Sequence, residues 1–226
     1  MKPKKGVIFL GFLWADGHIN KKSSRVSLDL VRDDADYLYK QCLVISNDFN
    51  MKMKPEYIRN DSLTVRRKPQ NIIYLTNNKL SLFLKNHDYM NKSNVSADSI
   101  LEIVKYKNFW FRGYFDGDGS LLIRERNKIF NSSLQFSSSI EQDWKFLLNF
   151  VKSLNLKSFK IIRRIEKSGN SSMFKSESIY ESKIFLDYVY SDYLNIGLHR
   201  KYLIYLQLKE ITLKRKSKYE NICRGF

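Results

Sequence analysis

The chain has 226 residues, which is enough for one large domain or two small ones with a proper core. Its hydrophobic content of 43% is typical of a globular protein rather than a disordered one, and its most apolar run is too short for a membrane-spanning helix. The net charge of +17 indicates a polyanionic partner, most often nucleic acid, although a lysine-rich composition from an AT-rich genome also explains it.

The first predicted element is the apolar run 9–15, which ends abruptly on Asp16 and Gly17. Three interpretations fit it. The run could be the core of a signal peptide behind the N-terminal lysines, a buried helix with a glycine stop, or a helix that presents Asp16. Taken alone, the run does not decide between them.

A second copy of this run in the middle of the chain resolves the choice. FLGFLWADG at residues 9–17 aligns with FRGYFDGDG at 111–119, with matching glycine, aromatic, small and aspartate positions. A signal peptide would not recur in mid-chain, so that interpretation fails and an intracellular protein is expected. The sixth position differs, being Trp14 in one copy and Asp116 in the other. We expect Asp116 to serve helix packing or surface hydrogen bonding.

The segments that follow each copy also correspond. Strand-like SRVSLDLV and SSLQFSSS each precede an amphipathic helix, marked by Leu38, Cys42 and Ile45 in the first half and by 146–154 in the second. Extended segments then lead to further helices near 80–84 and 184–189, and to DYMNKS and DYLNIGLHRKY. The pattern predicts helix, two strands, helix, two strands, helix, repeated twice.

Small residues four apart in each copy, Gly11 with Ala15 and Gly113 with Gly117, would lie on one face of a helix. Such residues allow two helix backbones to approach closely, so we expect the two motif helices to pack together. Their final aspartates, Asp16 and Asp118, would then lie side by side. Two carboxylates at helix C-termini repel each other, and divalent cations between them would make the arrangement favourable.

These residues resemble the two motifs of single-chain LAGLIDADG homing endonucleases, and the resemblance covers residues 6 to about 205. It implies an α+β fold of two pseudo-twofold related αββαββα repeats, with the motif helices at the interface and saddle-shaped antiparallel sheets facing DNA. The repeats would span 1–95 and 109–226, joined by a linker at 96–108, with a basic C-terminal tail.

The resemblance also implies site residues. Asp16 and Asp118 would bind metal, and Ala15 and Gly117 would lend backbone carbonyls. Lys92 and Lys201 fit the lysine expected near each metal centre, although a solvated surface charge is the alternative for either one. Arg32 and Ser138 match a polar position at the end of the second strand that orders water.

DNA contacts are expected on the polar faces of the strands. Alternation separates Arg25, Ser27 and Asp29 from Val26 and Leu28, and it gives the second half comparable faces. A generic charged outer face is the alternative, and base-reading and phosphate-contacting residues are not separated. The expected DNA-binding residues are Arg25, Ser27, Asp29, Arg32, Arg66, Arg67, Arg124, Arg126, Gln135, Ser138, Lys160 and Arg164.

The predicted function is therefore hydrolysis of both strands of a long, asymmetric double-stranded DNA site by a monomer that uses Mg²⁺, with Mn²⁺ or Ca²⁺ able to substitute for binding. An RNA maturase and a non-catalytic DNA-binding regulator with the same fold are the alternatives. Neither would require both aspartates.

The cysteines, Cys42 and Cys223, fit neither a disulfide framework nor a zinc site, and the three histidines are scattered.

Overall fold

The computed structural model describes residues 3–20, 22–43, 51–57, 69–127, 129–166, 169–192 and 197–224. Within these ranges, the helices are too short or too polar to cross a membrane. Two compact units are present. The first combines residues up to Lys92 with 97–118 and 193–198, and the second combines 93–96 with 119–192 and the segment from His199 onward.

The first half follows the predicted order of elements. The motif helix and two strands come first, and a second helix separates them from two further strands and a third helix. A 3-10 turn, Tyr89–Asn91, and a short additional helix follow that third helix. The bounds are α1 Pro3–Asp16, β1 Gly17–Ile19, β2 Arg25–Val31, α2 Arg32–Leu43, β3 Lys52–Tyr57, β4 Gln70–Thr76, α3 Asn78–Lys85 and α4 Asp98–Leu101.

The second half repeats the same order and adds a long final helix. The bounds are α5 Lys107–Asp118, β5 Gly119–Arg126, β6 Ile129–Ser138, α6 Lys145–Ser153, β7 Lys160–Glu166, β8 Gly169–Ser176, α7 Ile179–Val189 and α8 His199–Arg224. The repeated αββαββα order is confirmed. The basic tail is a continuation of α8, where Lys214 pairs with Glu210 at 2.6 Å and Arg215 donates to the carbonyl of Phe130.

Each half contains one four-stranded antiparallel sheet, and the two sheets have the same strand order. The first is β1-β2-β4-β3 and the second is β5-β6-β8-β7. In both sheets the strand that leaves a motif helix lies at one edge and pairs with the next strand, as Gly17 pairs with Leu28 and Gly119 with Phe136. The predicted α+β class with two equivalent halves is therefore confirmed.

The cores follow the alternation and helical spacing of the sequence. In the first unit, Val26 and Leu28 of β2 are buried, and so is Leu38 of α2, the helix that contacts β2 and β4. In the second unit, Phe136 is fully buried beneath α7, with its ring 5.8 Å from that of Phe185. The predicted apolar face of α6 is also buried, at Phe146, Leu147, Phe150 and Val151.

Candidate functional site

Helices α1 and α5 pack backbone to backbone, as the small residues of the motifs predict. A Cβ built on Gly11 would lie 2.8 Å from the amide nitrogen of Tyr114, and one built on Gly113 would lie 2.8 Å from that of Phe12. Both would lie closer still to a carbonyl oxygen of the facing helix, that of Trp110 or Ile8. Only glycine permits this approach, because real Cβ atoms essentially never come within 3.0 Å of another heavy atom.

The approach of the two helices brings the two motif ends together. Asp16 is the last residue of α1 and is exposed, and Asp118 is the last residue of α5 and is half-buried. Oδ2 of Asp16 lies 3.2 Å from the position of a Cβ on Gly117, the residue before Asp118. Both carboxylates act on the same buried groups. After burial itself, Asp118 and then Asp16 raise the pKa of Tyr114 well above its ordinary value.

Lys92 lies at the same place. Its Nζ donates to the carbonyl of Ala15 at 2.5 Å and to that of Leu13 at 3.1 Å, so it binds the last turn of α1 beside Asp16. Burial lowers the pKa of Lys92 to about 8, against the opposing effect of the Asp118 and Asp16 charges. The structure thus brings Asp16, Asp118 and Lys92 together within one unit.

Lys201 has a different environment in the second unit. It lies in the first turn of α8, is only 7% exposed, and donates from Nζ to the carbonyl of Gly119 at 2.6 Å. Gly119 directly follows Asp118 in the chain, whereas the carbonyls that Lys92 binds belong to Leu13 and Ala15, which precede Asp16. The two lysines are therefore not held in equivalent ways.

The donor atoms at the motif ends suit a hard divalent cation. The carboxylates of Asp16 and Asp118 and the carbonyl of Ala15 supply only oxygen, which Mg²⁺ and Ca²⁺ prefer. The Ala15 carbonyl accepts a hydrogen bond from Lys92, and a carbonyl oxygen has a second lone pair for another partner. The described part of the chain holds no group of three or more His, Cys, Asp or Glu residues suited to a metal. Mg²⁺ sites commonly use one or two protein carboxylates, with waters and substrate phosphates completing the coordination.

The open face of the first sheet carries the residues predicted from alternation. Arg25, Ser27 and Asp29 of β2 are half-buried, while the residues between them are buried. The Arg25 guanidinium lies 3.8 Å from the centre of the Tyr74 ring, close enough for a cation–π contact. Pairing registers add a row that the sequence had not identified: His18, Ser27, Tyr74 and Lys52.

The other predicted contacts of the first half are Arg32, Arg66 and Arg67. Arg32 directly follows the last residue of β2 and begins α2, where it is exposed and lies 4.0 Å from Asp36. Arg66 and Arg67 lie outside the described residues.

The open face of the second sheet forms a concavity of about 420 Å³. Arg124 and Gln135 line it, together with Ser120, Asn131 and Lys175, which were not predicted. One register row runs across this face through Ser120, Gln135, Lys175 and Lys160. Alternation signals each of these residues, but only the register shows that they share a row.

The remaining predicted residues of this sheet are at its margins. Arg126 and Arg164 are exposed, at the far end of β5 and within β7. Ser138 is the last residue of β6, and its hydroxyl donates to Gln142 at 3.2 Å.

Asp116 is a buried anchor and not a surface residue, with 1% exposure. Its Oδ2 accepts a hydrogen bond from the Leu198 amide at 2.8 Å. Gln41 forms two hydrogen bonds with the adjacent Gly197, whose φ of +117° and contact with Asp116 require glycine. The sixth position of the second motif therefore fixes the chain just before α8.

Sequence comparisons give no assignment: no protein-family model matches the chain, and no curated protein matches it significantly. Solved structures do match, over nearly the whole length. I-GzeII, a LAGLIDADG homing endonuclease in complex with its DNA target, is 14% identical, with a TM-score of 0.57 and coverage of 96% of this chain and 95% of that chain. I-LtrWI, a LAGLIDADG homing endonuclease bound to target DNA, is also 14% identical, with a TM-score of 0.58 and coverage of 95% and 91%.

I-SmaMI, bound to an uncleaved DNA target in the presence of calcium ions, is 13% identical, with a TM-score of 0.54 and coverage of 96% and 92%. At such identities the likeness is one of fold. The chain thus has the fold of the LAGLIDADG homing endonucleases, and the resemblance carried by its two motifs is confirmed at that level.

Proposed function

We propose that the chain is a site-specific DNA endonuclease that hydrolyses both strands of a long double-stranded target with divalent cations. The observation that carries the proposal is the convergence of Asp16, Asp118 and Lys92 at the ends of two helices in backbone contact. In a structural role alone, two carboxylates at helix C-termini would be unfavourable. The solved structures with this fold include I-SmaMI bound to cleaved DNA, which supports the same activity here.

Each residue has a defined task in this proposal. Asp16 and Asp118 would hold the cations, with Mg²⁺ as the proposed ion, assisted by the carbonyls of Ala15 and Gly117. Cations bound there would activate water and neutralise charge on the leaving oxygen. Lys92, whose pKa is lowered by burial, would hold or release a proton beside Asp16. We assign the equivalent task beside Asp118 to Lys201.

Target recognition is assigned to the open faces of the two sheets. Arg124, Gln135 and Lys160 would contact one half-site, and Arg25, Ser27 and Asp29 the other. Because the two sets differ in charge and hydrogen-bonding groups, they favour different base edges, and the proposed target is asymmetric. In this proposal the protein acts as a monomer, because both motifs lie in one chain. The two repeats would span 1–95 and 109–226.

The test is to select cleaved sites from a randomised DNA library with Mg²⁺, and then to compare variants on the selected site. Asp16→Asn and Asp118→Asn should each abolish double-strand cleavage while retaining most of the DNA affinity in a gel shift. Glu102→Gln, at an exposed carboxylate, is the matched control and should cleave normally. Cleavage by both aspartate variants at the wild-type rate would refute the site, and wild-type binding without cleavage would favour a maturase or regulator.

A further inference from the structure

Tyr89 is a buried neighbour of Lys92, with 3% exposure, in the 3-10 turn that precedes it. Its hydroxyl donates to the carbonyl of Leu13 at 2.6 Å, and Nζ of Lys92 donates to the same carbonyl at 3.1 Å. The Tyr89 ring centre lies 5.1 Å from that Nζ. The tyrosine therefore contacts both the ammonium group and one of the carbonyls that hold it.

The first motif is built to receive this tyrosine. A Cβ on Gly17 would lie 2.7 Å from the Cα of Leu13 and closer still to the Tyr89 hydroxyl, so the final glycine of the motif leaves room for the hydroxyl group. Trp14 packs edge-on against the Tyr89 ring, with centroids 5.9 Å apart. The tryptophan at the sixth motif position thus has a specific partner.

These contacts are concentrated at the last turn of α1. The carbonyl groups of the last helical turn have no hydrogen-bond donor within the helix, so they are available to bind and hold donor side chains. Tyr89 fixes the position of the Leu13 carbonyl and covers one side of Lys92. Two of the three N–H groups of Lys92 are donated to the Leu13 and Ala15 carbonyls, so one N–H group is left for another partner.

We propose that Tyr89 is a positioning residue that fixes Lys92 beside Asp16, and that it serves only one of the two cleavage centres. In the second repeat the matching tyrosine, Tyr193, lies outside the described residues and precedes Lys201 by eight residues, whereas Tyr89 precedes Lys92 by three. The second motif also has Asp116 in place of Trp14, and Lys201 binds a carbonyl at a different motif position.

The inference rests on the proposed function, and strand-resolved kinetics test it. Tyr89→Phe keeps the ring and removes the hydrogen bond, and Tyr39→Phe is the matched control, because the Tyr39 hydroxyl also donates to a backbone carbonyl of the first unit, that of Met51, at 3.4 Å. Single-turnover cleavage is followed on duplexes labelled on either strand. We expect Tyr89→Phe to slow one strand by roughly 10- to 100-fold, with nicked product and unchanged DNA affinity, since small displacements at a reacting centre have effects of this size. Tyr39→Phe should cut both strands normally.

A second measurement uses the free protein without metal or DNA. Lysines are acylated with an N-hydroxysuccinimide ester and quantified by peptide mass spectrometry. In Tyr89→Phe, labelling of Lys92 should rise severalfold, while labelling of Lys145, an exposed lysine of the second unit, stays constant. Wild-type protein that cuts no DNA would refute the proposed function, and the labelling would still test the contact. Equal rates on both strands in Tyr89→Phe, or unchanged labelling of Lys92, would overturn the role of Tyr89.

Discussion

Gly113→Ala is the most direct perturbation of the helix pair that positions the two aspartates. Gly113 lies in the middle of α5, and helix propensity alone predicts that alanine stabilises a helix interior by about 1 kcal/mol. The structure predicts instead that Gly113→Ala destabilises the folded protein. The added methyl group would meet two backbone atoms of α1, the Phe12 nitrogen at 2.8 Å and the Ile8 oxygen at a shorter distance.

The size of the effect follows from what has to move. Ordinary van der Waals contact begins near 3.4 Å and the Ile8 oxygen lies far inside that limit, so α1 and α5 would have to separate by about one ångström or more at this point. Backbone atoms cannot rotate away as a side chain does. Overpacking in cores costs about 1–3 kcal/mol, and we expect about 3 kcal/mol or more here. For a chain of this size that lowers the melting temperature by roughly 6–12 °C.

Urea denaturation followed by circular dichroism measures this change. Asn149→Ala, at an exposed position within α6, is the control for a small side chain in a helix, and should leave the free energy of unfolding equal or slightly higher. If Gly113→Ala is as stable as the wild type, the backbone contact between the motif helices is refuted. The same variant should also lose cleavage, because the spacing of Asp16 and Asp118 depends on that contact.

Three further outcomes are expected. DNA affinity, measured by fluorescence anisotropy, should fall steeply between ~50 and ~200 mM salt, by about 0.9 log units per neutralised phosphate per log unit of salt. An affinity that does not change with salt would show that the charge of +17 does not engage the DNA backbone. Replacing one half of the selected site with an inverted copy of the other should weaken cleavage markedly, since each mismatched base pair costs ~1–3 kcal/mol; equal cleavage of the symmetrised site would contradict two different half-site surfaces. Partial burial raises the pKa of Glu181, but hydrogen bonds from the Ser158 hydroxyl and the amides of Lys157 and Ser158 outweigh burial and hold the pKa below its ordinary value of 4.5. The ionised carboxylate therefore stabilises the folded protein above pH 4.5, and this stabilisation is lost as the pH falls through the pKa of the folded state. Glu181→Gln should therefore be less stable than the wild type at neutral pH, and the difference should shrink in acid; a constant difference across that range would assign the effect to packing.

Periodicity of two and of 3.6 residues, together with the motif repeat, was enough to predict the order of elements and the packing of the two motif helices. These signals are local. Alternation in SRVSLDLV separates a buried face from an open one whatever the rest of the chain does, and the glycines of the motifs report a close helix contact in their own spacing. The same locality explains why the basic tail was not expected to be helical: the charged final turns of α8 carry no clear apolar stripe, and Lys214 to Lys218 fit a phosphate contact or a disordered end equally well.

Tertiary structure decided which distant residues meet. Lys92 reaches the carbonyls of Leu13 and Ala15 only because the chain between them returns to the end of α1, and nothing in the short sequence around Lys92 encodes that path. Likewise, Asp116 looked like a surface or packing residue until the fold placed the Leu198 amide against it. Strand register determined the rows of Lys52 with Tyr74 and of Lys175 with Gln135. Such contacts depend on loop closure and sheet pairing over many residues, whereas the sequence specifies directly only what lies within a turn of helix or a pair of strand residues.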